Sequence, residues 1–141
     1  MGLMALSAKA VEVSTYGQRI VAAVLMGEAL GEGEVGMTAV AEVVRNRARD
    51  WHKTPLEVVL KRGEFCCLNP TTPENLYRKF SRMKGYATAL RIAKTCYNAP
   101  AQLPNMTRGA IYYDNKRGRP RWLPSVRLVA CIGNHNFYVP R

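Results

Sequence analysis

The chain has 141 residues, 48% of them hydrophobic and spread along its whole length, which suits one packed domain burying about two-thirds of its unfolded surface and excludes a largely disordered chain. Lys and Arg total 21 against 10 Asp and Glu, a formal charge of +11. A polyanionic partner follows, but charge does not choose among nucleic acid, an anionic membrane face and an anionic cell wall.

Residues 1–10 hold a short apolar run, Leu3 to Leu6, with no basic residue before it, so no signal peptide is predicted. No stretch approaches the length of a membrane-spanning helix. From Tyr16 the apolar residues Ile20, Ala23, Val24 and Leu25 recur at helical spacing, and the run Val21 to Gly27 closes at Glu28, where a first helix should end. A second, amphipathic helix is predicted from Val35 to Asp50, with Met37, Val40, Val43 and Val44 on one face and Arg45, Arg47 and Arg49 nearer the other. Thr54-Pro55-Leu56-Glu57 carries a capping hydroxyl, a proline at the first helical position and a glutamate three residues after the cap, and Thr72-Pro73-Glu74 opens similarly. A fifth helix runs from Gly85 to about Asn98, through Ala89, Ile92, Ala93 and Cys96.

After Pro100 the composition turns β-branched and aromatic, in Gly109 to Asp114, Val126 to Ile132 and, beyond a Gly133-Asn134 turn, His135 to Tyr138. The expected class is α+β, mainly helical, with a small antiparallel β-element in the C-terminal third.

The four cysteines, Cys66, Cys67, Cys96 and Cys131, match neither a zinc spacing nor a dense disulfide framework. They read as reduced, buried thiols, with a bridge from Cys66 or Cys67 to Cys96 left open. His52 and His135 are the only histidines; no spacing suggests a nucleophilic triad, a phosphate loop or a metal site, and no cofactor is indicated.

The search for an acid is short. Glu57 and Glu74 suit first-turn capping, Glu34 the start of the second helix, and Glu12 and Asp50 polar surroundings, leaving Glu28, Glu32, Glu42, Glu64 and Asp114. Glu28 follows the most apolar run in the chain at a glycine-rich bend, where partial burial favours the protonated form that a general acid needs. The alternative is a carboxylate paired with one of the many arginines. Glu32, four residues on, would share a face with Glu28 if the helix continued, but Gly31 and Gly33 argue against that, and bonding to loop amides or to the start of the second helix is the preferred role. Tyr112, Tyr113, Trp122, Phe137 and Tyr138 could stack on sugar rings or bases, or fill the core. Strand alternation sends Tyr112 and Tyr113 to opposite faces.

Five ordered segments, Gly27-Glu-Ala-Leu-Gly-Glu32, Ala39-Val-Ala-Glu-Val-Val-Arg-Asn-Arg47, Gly63-Glu-Phe-Cys66, Gly109-Ala-Ile-Tyr-Tyr-Asp-Asn115 and Ile132-Gly-Asn-His-Asn-Phe137, resemble the spore cortex-lytic family of cell-wall hydrolases over about residues 18–138. The resemblance implies a lysozyme-like, lytic-transglycosylase-like domain that cleaves peptidoglycan between N-acetylmuramic acid and N-acetylglucosamine. Glu28 then takes the family's catalytic position as general acid and base, and Glu32, Asn46, Tyr112, Tyr113, Trp122, His135 and Phe137 match positions that line or support the groove. Two departures stand out: Leu30 replaces a common arginine, and the Cys66-Cys67 pair is unusual.

The expected organisation is an N-terminal extension, residues 1–15, followed by a single catalytic domain, 16–141, that works as a monomer on peptidoglycan, without metal and without nucleic acid. A bacteriophage endolysin, made in the host cytoplasm without a signal peptide and acting on the wall after release, fits this picture. The alternatives are a secreted protein with its export signal removed, a hydrolytic muramidase using the same acid or, from another class, a basic nucleic-acid-binding module.

Overall fold

The computed structural model describes residues 13–116 and 120–141, so the first twelve residues of the expected N-terminal extension lie outside the described residues. Five α-helices precede a three-stranded sheet: α1 Tyr16–Glu28, α2 Gly33–Trp51, α3 Pro55–Leu60, α4 Pro73–Phe80, α5 Tyr86–Asn98, then β1 Tyr112–Asp114, β2 Val126–Ile132 and β3 His135–Pro140. The first expected strand began at Gly109, but Gly109 has φ +80° and the chain turns through a Thr107 to Ala110 hydrogen bond, so pairing starts only at Tyr112.

Helix α1 is the hub. Thr15 and Gln18 form a reciprocal cap, each side chain accepting the other's backbone N–H at 2.9 and 3.1 Å. Every residue from Ile20 to Met26 is buried, as a helix packed on all sides requires. α2, α3, α4 and α5 all pack against it. The helix stops because Gly31 and Gly33 take φ of +84° and +68°, a conformation that breaks the helical path and turns the chain into α2. Glu28 therefore ends α1, whereas Glu32 stands at the cap position before α2. Thr54 and Thr72 cap α3 and α4 in the expected way, with Pro55 and Pro73 in the first turn.

The sheet has order β1-β3-β2, antiparallel throughout, with Tyr113 opposite Phe137 and Ile132 opposite His135. Ala39 and Val43 of α2 meet Ala110 and Phe137 in a second, smaller core that fixes the sheet to the helices.

The polar side of α2 departs from the sequence expectation. Arg47, expected on the outer face, is 3% exposed, because α2 serves as a template for the segment leading into β1. Arg45 donates to the carbonyls of Pro100 and Leu103, Asn46 to Ala110 and Arg47 to Ile111, while Glu42 accepts from the backbone N–H and hydroxyl of Thr107. A long loop with no ladder of its own has its backbone groups satisfied in this way. The cysteines are all free, but only Cys96 is buried; Cys66 and Cys131 are exposed, correcting the expectation of four buried thiols. Among the described residues no helix is long and apolar enough to cross a membrane.

Candidate active site

A groove of about 1000 Å³ opens between the C-terminus of α1, the turn after α3 and the near edge of the sheet. Glu28 is the last residue of α1 and lies half-buried in it. Its Oε1 accepts the hydroxyl of Tyr113 at 2.5 Å, and its Oε2 accepts the backbone N–H of Cys67 at 3.0 Å. The Cys66 thiol lies 3.6 Å from Oε2. Among the described residues no arginine forms an ion pair with Glu28, whose hydrogen-bond donors there are neutral.

The titratable groups around Glu28 are held in their protonated forms. Burial, reinforced by the adjacent Glu28 charge, pushes the Tyr113 hydroxyl well above its ordinary range, and the same two causes raise the Cys66 and Cys67 thiols. A neutral phenol donating to a carboxylate makes a charge-assisted hydrogen bond, stronger than one between neutral partners.

Gly27 explains how the turn after α3 comes so close. A Cβ at this position would lie 2.8 Å from Cys67 Cβ and 3.0 Å from its Sγ, so only glycine lets the Cys66–Leu68 turn sit against the end of α1 and aim the Cys67 N–H at Glu28.

Glu32 closes the far wall. Its Oε1 accepts the backbone N–H of Asn134 at 2.7 Å and its Oε2 accepts His135 Nδ1 at 2.8 Å, so the loop-amide role expected for it comes from the β2–β3 turn rather than from α2. The carboxylate fixes the ring tautomer, with the proton on Nδ1. His135 in turn places its ring edge-on to Tyr113, with centroids 5.3 Å apart. The remaining acids of the groove are also engaged: Glu64 faces Arg47 and Lys61, and Asp114 accepts from Tyr138 and from the Lys116 backbone.

Of the residues singled out in the sequence, Glu28, Glu32, Tyr113, Trp122 and His135 line the groove. Asn46 and Phe137 do not reach it. Asn46 is fully buried and bonded to the Ala110 carbonyl, and Phe137 stacks behind Tyr113 with centroids 5.8 Å apart, so both support the wall from inside the protein. Tyr112 points to the other face of β1, as alternation predicts, and packs on Trp122 at 5.1 Å. The Cys66-Cys67 turn, Asp114 and Lys116 line the groove but were not singled out as site residues. For Cys67 the functional atom is a backbone N–H, which no side-chain pattern marks. Among the described residues no three His, Cys, Asp or Glu side chains come together as a metal cluster.

Residues 31–138 match the family described as Cell Wall Hydrolase, a span that begins just after Glu28. No curated protein matches the chain. Among solved structures, the catalytic domain of the germination-specific lytic transglycosylase SleB from Bacillus anthracis superposes with a TM-score of 0.68 and 22% identity, over 92% of this chain and 98% of that one. The likeness in fold includes the mainly helical body and the small C-terminal sheet.

Proposed function

This chain belongs to the cell wall hydrolase family, and we propose that it is a lytic transglycosylase, cleaving peptidoglycan between N-acetylmuramic acid and N-acetylglucosamine with Glu28 as its single acid and base. The observation that carries this reading is the setting of Glu28: a carboxyl just beyond the buried apolar run Ile20 to Met26, in the groove, oriented by the Tyr113 hydroxyl, the Cys67 N–H and the Cys66 thiol.

In the proposed reaction, protonated Glu28 gives its proton to the glycosidic oxygen as the bond from that oxygen to the muramoyl C1 breaks. The Glu28 carboxylate then takes the proton of the muramoyl 6-hydroxyl while that oxygen bonds to C1 and closes a 1,6-anhydro ring. No water is consumed and Glu28 ends as it began. One carboxyl suffices, whereas the usual glycosidase schemes need a second that is free to act as base or nucleophile. Glu32 instead braces the β2–β3 turn, through the Asn134 N–H and His135 Nδ1. Trp122, braced by Tyr112 and Tyr138, offers an aromatic surface for a sugar ring.

The charge distribution favours a glycan over a nucleic acid. Among the described residues, Glu28, Glu32, Glu64 and Asp114 face the groove against one lysine, Lys116. Phosphates would meet the wrong sign in the groove. The net positive charge of the chain is suited instead to holding a small enzyme near an anionic wall, an attraction that salt weakens.

The test is to incubate the wild type and Glu28→Gln with peptidoglycan sacculi and to identify released fragments by mass spectrometry. Anhydromuramoyl ends from the wild type alone are expected. Reducing ends, heavier by one water, would replace transglycosylation by hydrolysis with the same acid, and equal release by Glu28→Gln would remove Glu28 from the reaction.

A further inference from the structure

The Tyr113 and Cys67 donors on Glu28 both come from segments with little structure of their own. Tyr113 stands in a strand of three residues, and Cys67 in a short turn. Each segment needs an anchor, and both are fastened to one side chain. Arg47 donates from Nε to the carbonyl of Ile111 at 2.7 Å, two residues before Tyr113. Its Nη1, which makes no hydrogen bond, forms an ion pair at 3.6 Å with the carboxylate of Glu64, three residues before Cys67. The guanidinium also sits 5.4 Å from the ring centroid of Phe65, and Phe65 packs against Tyr113.

We propose that Arg47 is a positioning residue for the reaction, acting through Tyr113 and Cys67 to hold both donors on Glu28. This rests on the reading of Glu28 as the acid. The other polar residues of α2 differ in reach: Arg45, Asn46 and Glu42 bind only the segment from Pro100 to Ala110, and none of their hydrogen bonds goes to the turn after α3. Arg47 joins the two segments because its guanidinium is a planar fork whose Nε and Nη nitrogens point in different directions, which a lysine ammonium on a flexible stem does not reproduce. Burial pulls the guanidinium below its ordinary value and Glu64 opposes that pull most strongly, so the cation is held by the same contact that holds the turn.

The experiment uses the full chain and a soluble glycan-strand substrate, with Arg47→Lys and Arg47→Met each made in the wild-type and Tyr113→Phe backgrounds. Arg47→Lys carries the test, because it keeps the charge and most of the volume, whereas Arg47→Met also leaves Glu64 without its buried cation. Circular dichroism and thermal melting establish that each variant is folded at the assay temperature. For folded Arg47→Lys the expected result is a fall in kcat of about 10- to 100-fold, as small misplacement of reacting groups produces, with KM changed by less than about threefold. In the Tyr113→Phe background the loss should be much smaller, since one of the donors positioned by Arg47 is already gone. Arg45→Met, which removes the contacts to Pro100, Leu103 and Asn46 Oδ1 but none to the turn after α3 or to Ile111, should keep near wild-type kcat.

A wild-type kcat for Arg47→Lys, or the same fold-loss in both backgrounds, would overturn the proposal. Glu28→Gln separates this from failure of the underlying reading. An inactive Glu28→Gln beside an unimpaired Arg47→Lys sinks the role of Arg47 alone, whereas an active Glu28→Gln sinks both.

Discussion

Tyr113, on the first strand of the sheet, donates its hydroxyl to the carboxylate of Glu28 at the end of the central helix, joining residues 85 apart in sequence at 2.5 Å. The bond ties the two halves of the fold together at the point where chemistry is proposed. Its geometry follows from packing: Phe137 stacks on one side of the Tyr113 ring, while Phe65 and His135 lie against it at 6.3 and 5.3 Å.

Tyr113→Phe should therefore leave the ring packing intact and remove only the donor. Loss of a group that positions Glu28 should lower kcat by roughly 10- to 100-fold, and loss of a hydrogen bond to a charged group, worth about 1.5–3 kcal/mol of stability, should lower Tm by several degrees. Steady-state kinetics beside a melting curve checks this. Undiminished turnover in a folded variant would mean that the Tyr113 contact is incidental to the reaction.

Gly27→Ala tests the close approach behind the other donor. Alanine is favoured over glycine within a helix by roughly 0.5–1 kcal/mol, but here its Cβ would come 2.8 Å from Cys67 Cβ and displace the turn that supplies the Cys67 N–H. Activity should drop more than stability does. If both stay at wild-type levels, the turn has room to yield without losing its hold on Glu28.

Glu32 separates a structural brace from a second catalytic carboxylate. Glu32→Ala strips the partners from the exposed Asn134 N–H and from buried His135 Nδ1, and leaving the buried donor unpaired costs about 1–3 kcal/mol. Chemical denaturation should show that loss, while residual activity stays well above that of Glu28→Gln. Activity as low as that of Glu28→Gln, in a variant still folded, would give Glu32 a direct part in the chemistry.

Gly133 faces the same carboxylate from the turn. It has φ +57°, and an added Cβ would come within 2.2 Å of Glu32 Oε1. Gly133→Ala should be destabilising through both strain and the broken clamp, and a melting temperature equal to wild type would show that the turn is not pinned as described.

The helices were legible because their signals are local. Thr54-Pro55 and Thr72-Pro73 announce two starts, Gly31 and Gly33 announce a break, and the apolar run before Gly27 marks the buried hub. The place of Glu28 at the end of α1 was legible for a related reason, as an acid ending an apolar run. The partners of Glu28 and Glu32 were not, since those bonds span 39 to 103 positions of sequence and two of the donors are backbone N–H groups. Arg47 was misplaced because its neighbours Arg45 and Arg49 suggest a solvated stripe. What decides its burial is the loop before β1, whose carbonyls need donors, and helical periodicity carries no information about that demand.

Cys96 yields a prediction for alkaline stability with a definite sign. It is buried in the main core, and burial pushes its thiol from an ordinary value of 9.0 up to about 12. In the unfolded chain the thiol ionises near its ordinary value, so above that pH the folded state retains a proton that the unfolded state has lost. Stability from this group is complete below pH 9.0 and is lost as pH rises toward about 12, at up to about 1.4 kcal/mol per pH unit in that window. Tyr86, raised from 10.0 to about 12 by burial, adds to the decline at the upper end. Urea denaturation at a series of pH values from 8 to 11 should show stability falling for the wild type. The fall should be shallower for Cys96→Ala, which starts lower because it leaves a small cavity. Parallel slopes for the two proteins would mean that the thiol ionises as readily folded as unfolded, and the alkaline loss would then belong to other groups.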